Sequence, residues 1–267
     1  MKKAGVQIPN TWDEFFAAAD KIKAAGFIPV AHGGQPWQDS TTFESVVLGV
    51  GGADFYRKAF VDLDPAALNS PTMIKSLKTF KRIKQYTDPG APGRDWNLAT
   101  AMVINGKAAF QFMGDWAKGE FTAAGKVPGK DYICAPAPGT ADDFTFNIDS
   151  FVMFNLSGED ANKGQRDLAS TIMSPEFQEI FNLNKGSIPV RMDLPMDKFD
   201  DCAKRSHNDF VASAKAGTLV PSMAHGMSTF PAVQGAFFDT VTEFYNSDSM
   251  SAETAAKKLV SAVKAAE

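Results

Sequence analysis

Four tryptophans, and the polar residues beside three of them, are where this chain could do chemistry. Gln35 stands two residues before Trp37, Asp95 directly before Trp96 and Asp115 directly before Trp116, while Asn147 and Asp149 lie two apart in an aromatic, β-branched stretch. An indole is a flat apolar surface, and amide, carboxylate, ammonium or imidazole groups at its edge donate and accept hydrogen bonds. A pyranose has the complementary form, a C–H face and a rim of hydroxyls, so these pairs are the ingredients of a carbohydrate site.

Covalent and metal chemistry have less to stand on. There is no G-x-S-x-G, no H-E-x-x-H, no P-loop, and no G-x-G-x-x-G that follows a strand and opens a helix. His32, His207 and His225 are far apart, so no metal or other cofactor is expected. A glycosidase needs two carboxylates flanking one bond; Asp95, Asp115 and Asp149 could supply them, but spacing alone fixes no separation. The net charge of −4, with scattered basic residues, argues against a nucleic-acid partner. No apolar run is long enough to span a bilayer. The N-terminal MKKAGVQIPNTW has no apolar core or cleavage site of a signal peptide.

These residues need elements to hold them. Thr11 and Glu14 form a capping box for a helix over Thr11–Ala25, whose apolar face includes Trp12, and Gly26 ends it. A short strand over Phe27–Ala31 leads into the loop HGGQPWQD, with Trp37 at its turn, and a helix over Thr42–Val50 runs into Gly51 and Gly52. Pro71–Tyr86 alternates lysines with Met73, Leu77, Phe80 and Ile83, the pattern of a surface helix. Leu98–Ile104 and Asp115–Ala124 are expected helices around a strand over Ala108–Met113, with Asp115 as an N-cap. Strands are expected over Tyr132–Ala135 and over Phe144–Asn155, the second placing Asn147 and Asp149 on one face. Helices follow over Asp160–Met173, from Ser174 with Pro175 at the first position to Asn184, and about Ser228–Tyr245 and Ser251–Ala265. The alternation predicts α/β layers.

Each candidate also has a plainer role. Trp12 belongs in the core by its place on the helix face. For Trp37, Trp96 and Trp116, packing at a helix start and stacking on a ligand are equally open. Asp95 and Asp115 suit helix caps, Asn147 and Asp149 suit the open face of an edge strand, and Lys185 complements a helix C-terminus. His225, between Ala224 and Gly226, says nothing by itself. Cys134 and Cys202 could be a free pair or a disulfide; closing that loop, roughly 70 residues long, would stabilise by about 4 kcal/mol on the chain-entropy model.

The order of TWDEFFAAADKIKAAG, HGGQPWQD, PGRDWNLATAMVINGKAAFQFMGDWAKGEF, FTFNIDSF, SPEFQEIFNLNKGSIPVR and MAHGM resembles the extracytoplasmic sugar-binding proteins of bacterial ABC transporters, the extracellular family 1 type, in its glucose or mannose branch. The resemblance covers nearly the whole chain. It implies a periplasmic-binding-protein-like type II fold, two α/β lobes with the sugar in the cleft between them. Residues 1–142 and 220–267 would then form the carboxy-terminal lobe and 143–219 the remaining part of the amino-terminal one.

By the same resemblance Trp96 and Trp116 meet the sugar, Asp149, Lys185 and His225 bond its hydroxyls, and Gln35, Trp37 and Asn147 are further candidates. It also implies a monosaccharide ligand, membrane permease subunits as partners, a periplasmic location and no catalysis. Members of the family begin with an export signal and a first stretch of the amino-terminal lobe, roughly 100 residues by ordinary domain sizes. The expectation is therefore a truncated relative with weakened or lost binding, in which Phe146, Ile148, Val152 and Phe154 lack neighbours. The alternatives are a carbohydrate-active enzyme that uses the same aromatics, and a non-transporting product that self-associates through exposed sheet edges.

Overall fold

The computed structural model describes residues 1–267, the side chain of Lys2 excepted. In chain order the elements are α1 (Trp12–Ala24), β1 (Ile28–Val30), α2 (Pro36–Phe60), α3 (Pro65–Leu68), α4 (Pro71–Ile83), α5 (Trp96–Ile104), β2 (Ala108–Phe110), α6 (Ala117–Ala123), β3 (Phe144–Phe146), α7 (Glu159–Ile172), α8 (Pro175–Lys185), α9 (Asp201–Ala216), β4 (Leu219–Pro221), α10 (Pro231–Asn246) and α11 (Ala252–Ala266). β1 pairs in parallel with β2, Ile28 opposite Ala108 and Val30 opposite Phe110, and β3 pairs in parallel with β4, Phe144 opposite Leu219. No helix among the described residues is long and apolar enough to cross a membrane.

The chain divides into two compact units. The first comprises Met1–Gly114, Cys134–Asn147 and Asp209–Glu267; the second comprises Asp115–Ile133 and Ile148–Asn208. The units change at residues 114, 133, 147 and 208, against expected lobe boundaries at 142 and 219.

Helices build the first unit because their apolar residues recur every three or four positions and must be covered. Phe15, Phe16 and Ile22 of α1, Phe43, Val47, Tyr56 and Phe60 of α2, Met73, Leu77, Phe80 and Ile83 of α4, Phe237 and Val241 of α10, and Leu259 of α11 merge into one buried core. Side-chain caps start these helices where the sequence calls for them: the Thr11 hydroxyl accepts from the Glu14 amide at 3.2 Å, and Ser70 accepts from the Met73 amide at 3.1 Å. The second unit has a smaller core, Leu194, Phe199 and Ala203, with Leu183, Ile188 and Met196 packed against it. Neither cysteine is a free thiol; Cys134 and Cys202 are both disulfide-bonded.

Several expectations are corrected. HGGQPWQD is not all loop: Pro36, with its pre-set φ, opens α2, and Trp37 sits in that helix's first turn. The helix expected to stop at Gly51 and Gly52 runs on to Phe60, absorbing Gly52 at φ 75° as a kink. Asp115 does not cap α6, which starts at Ala117. Tyr132–Ala135 is not a strand but holds a single bridge to Pro128, and the Tyr132 ring stacks on Phe121 at 4.2 Å. The strand expected over Phe144–Asn155 ends at Phe146 because β4 offers only three residues to pair with. Asn147 and Asp149 therefore share no strand face, and Ile148, Val152 and Phe154 are exposed.

Candidate functional site

Trp12 is a core residue, 8% exposed, with its ring against Phe15, Phe16 and Phe112. Trp37, Trp96 and Trp116 are only partly buried. None of the three is sealed in the interior as Trp12 is.

In the first unit the polar groups around two of these indoles form one hydrogen-bonded chain. The Gln35 amide donates to Asp95 Oδ1 at 2.5 Å, and its carbonyl oxygen accepts from Trp37 Nε1 at 2.9 Å and from Gln38 Nε2 at 3.0 Å. Gln35 occupies the N-cap position of α2 and Asp95 that of α5, yet neither side chain caps its helix. The cap role expected for Asp95 is thus not taken up; its carboxylate serves Gln35 instead. Trp96, the first residue of α5, is held through its carbonyl, which accepts from Gln111 at 3.1 Å.

The segment before α5 is pinned as well. Arg94 forms a two-pronged bond with Asp88 at 2.8 and 2.5 Å and donates to the His32 carbonyl at 3.2 Å. These hydrogen bonds hold the Asp88 carboxyl below its ordinary pKa, against a desolvation that raises it. His32, which has no place in the proposed site, is buried and bonds Asp39 at 2.7 Å, whose other oxygen accepts from Thr242 at 2.9 Å.

His225 belongs to the same neighbourhood, with its ring 6.0 Å from that of Trp37 in an edge-on arrangement. Behind it lies a cluster that no local motif marks. Buried Glu44 accepts from Tyr56 Oη at 2.9 Å, from Ser222 Oγ at 2.8 and 3.0 Å, and from the Met223 and Ala224 amides at 2.8 and 3.0 Å. Burial and then the Glu44 charge push the Tyr56 phenol well above its usual pKa, so it stays a neutral donor. One clue was available: Glu44 is an acid in the middle of the apolar face of TTFESVVLG. Asn147, half-buried just past β3, makes no hydrogen bond to this set among the described residues.

In the second unit the start of α6 abuts the end of α8. Lys185, the last residue of α8, forms an ion pair with Asp149, and its ammonium lies 5.7 Å from the Phe181 ring centroid. Gly186 closes α8 in the left-handed conformation at φ 91°; a Cβ there would stand 2.7 Å from Lys118 Cβ and 2.8 Å from the Gly119 amide. Trp116 occupies the N-cap position of α6. The Asp115 carboxylate accepts from Ser187 at 2.9 Å; desolvation raises its pKa, opposed by that bond and by Lys118 and Lys185. Lys118 is itself paired with Asp200 at 2.8 Å. The structure thus joins Gln35, Asp95 and Trp37 by hydrogen bonds and sets the His225 ring beside Trp37, with Trp96 following Asp95 in the chain, and it pairs Lys185 with Asp149 in the second unit. Among the described residues no three His, Cys, Asp or Glu side chains gather as a metal site would need.

Comparison with known proteins adds identity to this geometry. The family model described as bacterial extracellular solute-binding protein matches residues 1–161. A probable sugar-binding periplasmic protein of Brucella suis is 52% identical over 266 residues, which is 100% of this chain and 62% of the relative. An uncharacterised ABC transporter extracellular-binding protein of Pyrococcus horikoshii is 35% identical, over 98% of this chain and 58% of its own length. The chain therefore spans about three fifths of the length of these curated relatives. Among solved structures, a chitin oligosaccharide binding protein superposes with a TM-score of 0.76 at 21% identity, over 99% of this chain and 67% of that one, which shows a shared fold.

Proposed function

The chain belongs to the bacterial extracellular solute-binding proteins, and from that premise we propose that it is the carbohydrate-binding component of an ABC importer, with a monosaccharide, glucose first, as ligand. The carrying observation is the first-unit chain in which Asp95, Gln35 and Trp37 are hydrogen-bonded in series, with Trp96 next to Asp95 in the chain, the His225 ring 6.0 Å from that of Trp37, and both tryptophans only partly buried. Rings would stack on Trp37 and Trp96, and the polar groups would take the hydroxyls. In the second unit Trp116, Asp149 and Lys185 are proposed for the same chemistry. A sugar lacking a hydroxyl would leave its partner unsatisfied, at a cost of about 1–3 kcal/mol.

The printed names of the relatives support a sugar ligand, a location outside the cytoplasmic membrane and transporter permease subunits as partners. The family is one of binding proteins, so no catalytic role is proposed. Because the chain spans 62% of the Brucella relative, we propose an affinity weaker than a full-length relative would have. Titration of tryptophan fluorescence with glucose tests this. A saturable response in the millimolar range, weakened further by Trp37→Ala and Trp96→Ala, is the expected result. No response to any monosaccharide would sink the binding role, and a tight response would sink the weakening.

One observation favours a second reading, self-association: Phe151, Val152 and Phe154 expose 56, 72 and 68% of their surface within one short segment. Apolar surface of that kind invites a covering partner.

A further inference from the structure

In the second unit the start of α6 and the end of α8 meet backbone to backbone. A Cβ on Gly119 would stand 2.9 Å from the Lys185 carbonyl oxygen and 3.2 Å from that of Asn184, and one on Gly186 would stand 3.1 Å from the Asp115 carbonyl oxygen. Glycine permits such an approach, but the contacts it leaves are dispersion contacts without direction. Asp115 supplies a directional bond. Its Oδ1 accepts from Ser187 Oγ at 2.9 Å, one residue beyond the Gly186 that closes α8, and its carbonyl accepts from the Lys118 amide at 2.9 Å in the turn leading into α6.

Other uses for this carboxylate are already taken. It does not cap α6, which starts two residues later. It is not the ion-pair partner of either nearby lysine, because Lys118 is paired with Asp200 and Lys185 with Asp149. What it holds is Ser187, and a hydrogen bond to a carboxylate is stronger than one between neutral groups. Trp116 directly follows Asp115 and Lys185 stands two residues before Ser187, so that one bond joins the two stretches proposed to meet the ligand in this unit.

We infer that Asp115 is a positioning residue: through Ser187 it latches the turn that carries Trp116 onto the end of α8, so that Trp116 and Lys185 meet a ligand at a fixed separation. The latch stands on the protein alone; its use in binding rests on the sugar-binding reading.

Fluorine NMR of the full chain labelled with 5-fluorotryptophan tests the latch without sugar. Four tryptophans give four signals, and Trp116→Phe identifies that of Trp116. Asp115→Ala and Ser187→Ala are each expected to move it while the signals of Trp12, Trp37 and Trp96 hold their places, and Ser187→Thr, which keeps the hydroxyl, is expected to return it. The double variant should move it no further than the more affected single one, since both substitutions break the same bond. A purely structural role would lower the urea midpoint and leave the Trp116 signal where it was; that result in either variant overturns the inference, and so does a shift of all four signals. Should Asp115→Ala fail to fold, Ser187→Ala decides. On the same samples, affinity for glucose is expected to fall roughly three- to tenfold in each single variant. A displaced Trp116 with unchanged glucose affinity overturns the role in binding, whereas a displaced Trp116 in a chain that ignores glucose upholds the latch and sinks the sugar reading instead.

Discussion

Gln35 works as a connector, because one amide both donates to Asp95 and accepts from two neighbours, fixing the Trp37 indole by its N–H. Gln35→Ala leaves that N–H and the exposed Asp95 carboxylate to water, so the expected loss of stability is about 1 kcal/mol. The loss of glucose response should exceed it, since the ring is no longer aimed; urea unfolding and fluorescence titration on one preparation separate the two. Asp88 makes a different prediction. Its folded pKa is depressed, so its contribution is present above the unfolded carboxylate range and fades as pH falls through the folded value. Asp88→Asn is therefore expected to cost about 2 kcal/mol at neutral pH and to approach wild type in strong acid; thermal unfolding across a pH series would refute this if the gap stayed constant. At this scale the sequence was informative where the signal is local: helix spacing placed Trp12 in the core, whereas for Trp37 and Trp96 their polar neighbours left packing and stacking equally open. Glu44 was missed because its partners, Ser222 to Ala224, lie far along the chain, and a lone acid in a helix looks like a surface charge until they are brought to it.

Among the elements, helix starts were legible because a cap is a local device. Thr11, with Glu14 three residues on, and Ser174, with Pro175 after it, both start helices through their hydroxyls. Strand lengths were not, because a strand lasts only as long as its partner, and β3 is cut to three residues by β4. Helix α9 escaped notice because DCAKRSHNDFVASAKA has too few apolar residues to show a period. Two glycines set element geometry for different reasons. Gly52 kinks α2 at φ 75° and ψ 174° with nothing near a would-be Cβ, so Gly52→Ala is expected to cost about 1–3 kcal/mol from backbone strain alone. Gly186 adds a close approach to Lys118 and Gly119, so Gly186→Ala should cost more, by a further 1–3 kcal/mol or so of overpacking. It should also displace neighbouring Lys185 from Asp149. Equal denaturation midpoints for the two variants would contradict the packing argument.

For the whole molecule, the distribution of apolar surface matters most. The first unit encloses a core of more than thirty buried apolar side chains, while that of the second holds three, and the run from Ile148 to Phe154 lies open. A two-lobe α/β architecture could be recognised in the order of motifs; how the apolar surface is shared between units could not, since burial is decided by which segments pack together. An exposed side chain contributes little to folding, so Val152→Asp and Phe154→Asp should each change stability by no more than about 0.5 kcal/mol. The same substitutions put charge where an apolar partner would have to dock, and desolvating it opposes association. The double variant should therefore unfold at the same urea concentration as wild type yet scatter as a smaller species at high protein concentration. If wild type and variant have the same mass in solution, this segment does not drive self-association. If the variant unfolds much earlier, the run supports the fold of the second unit.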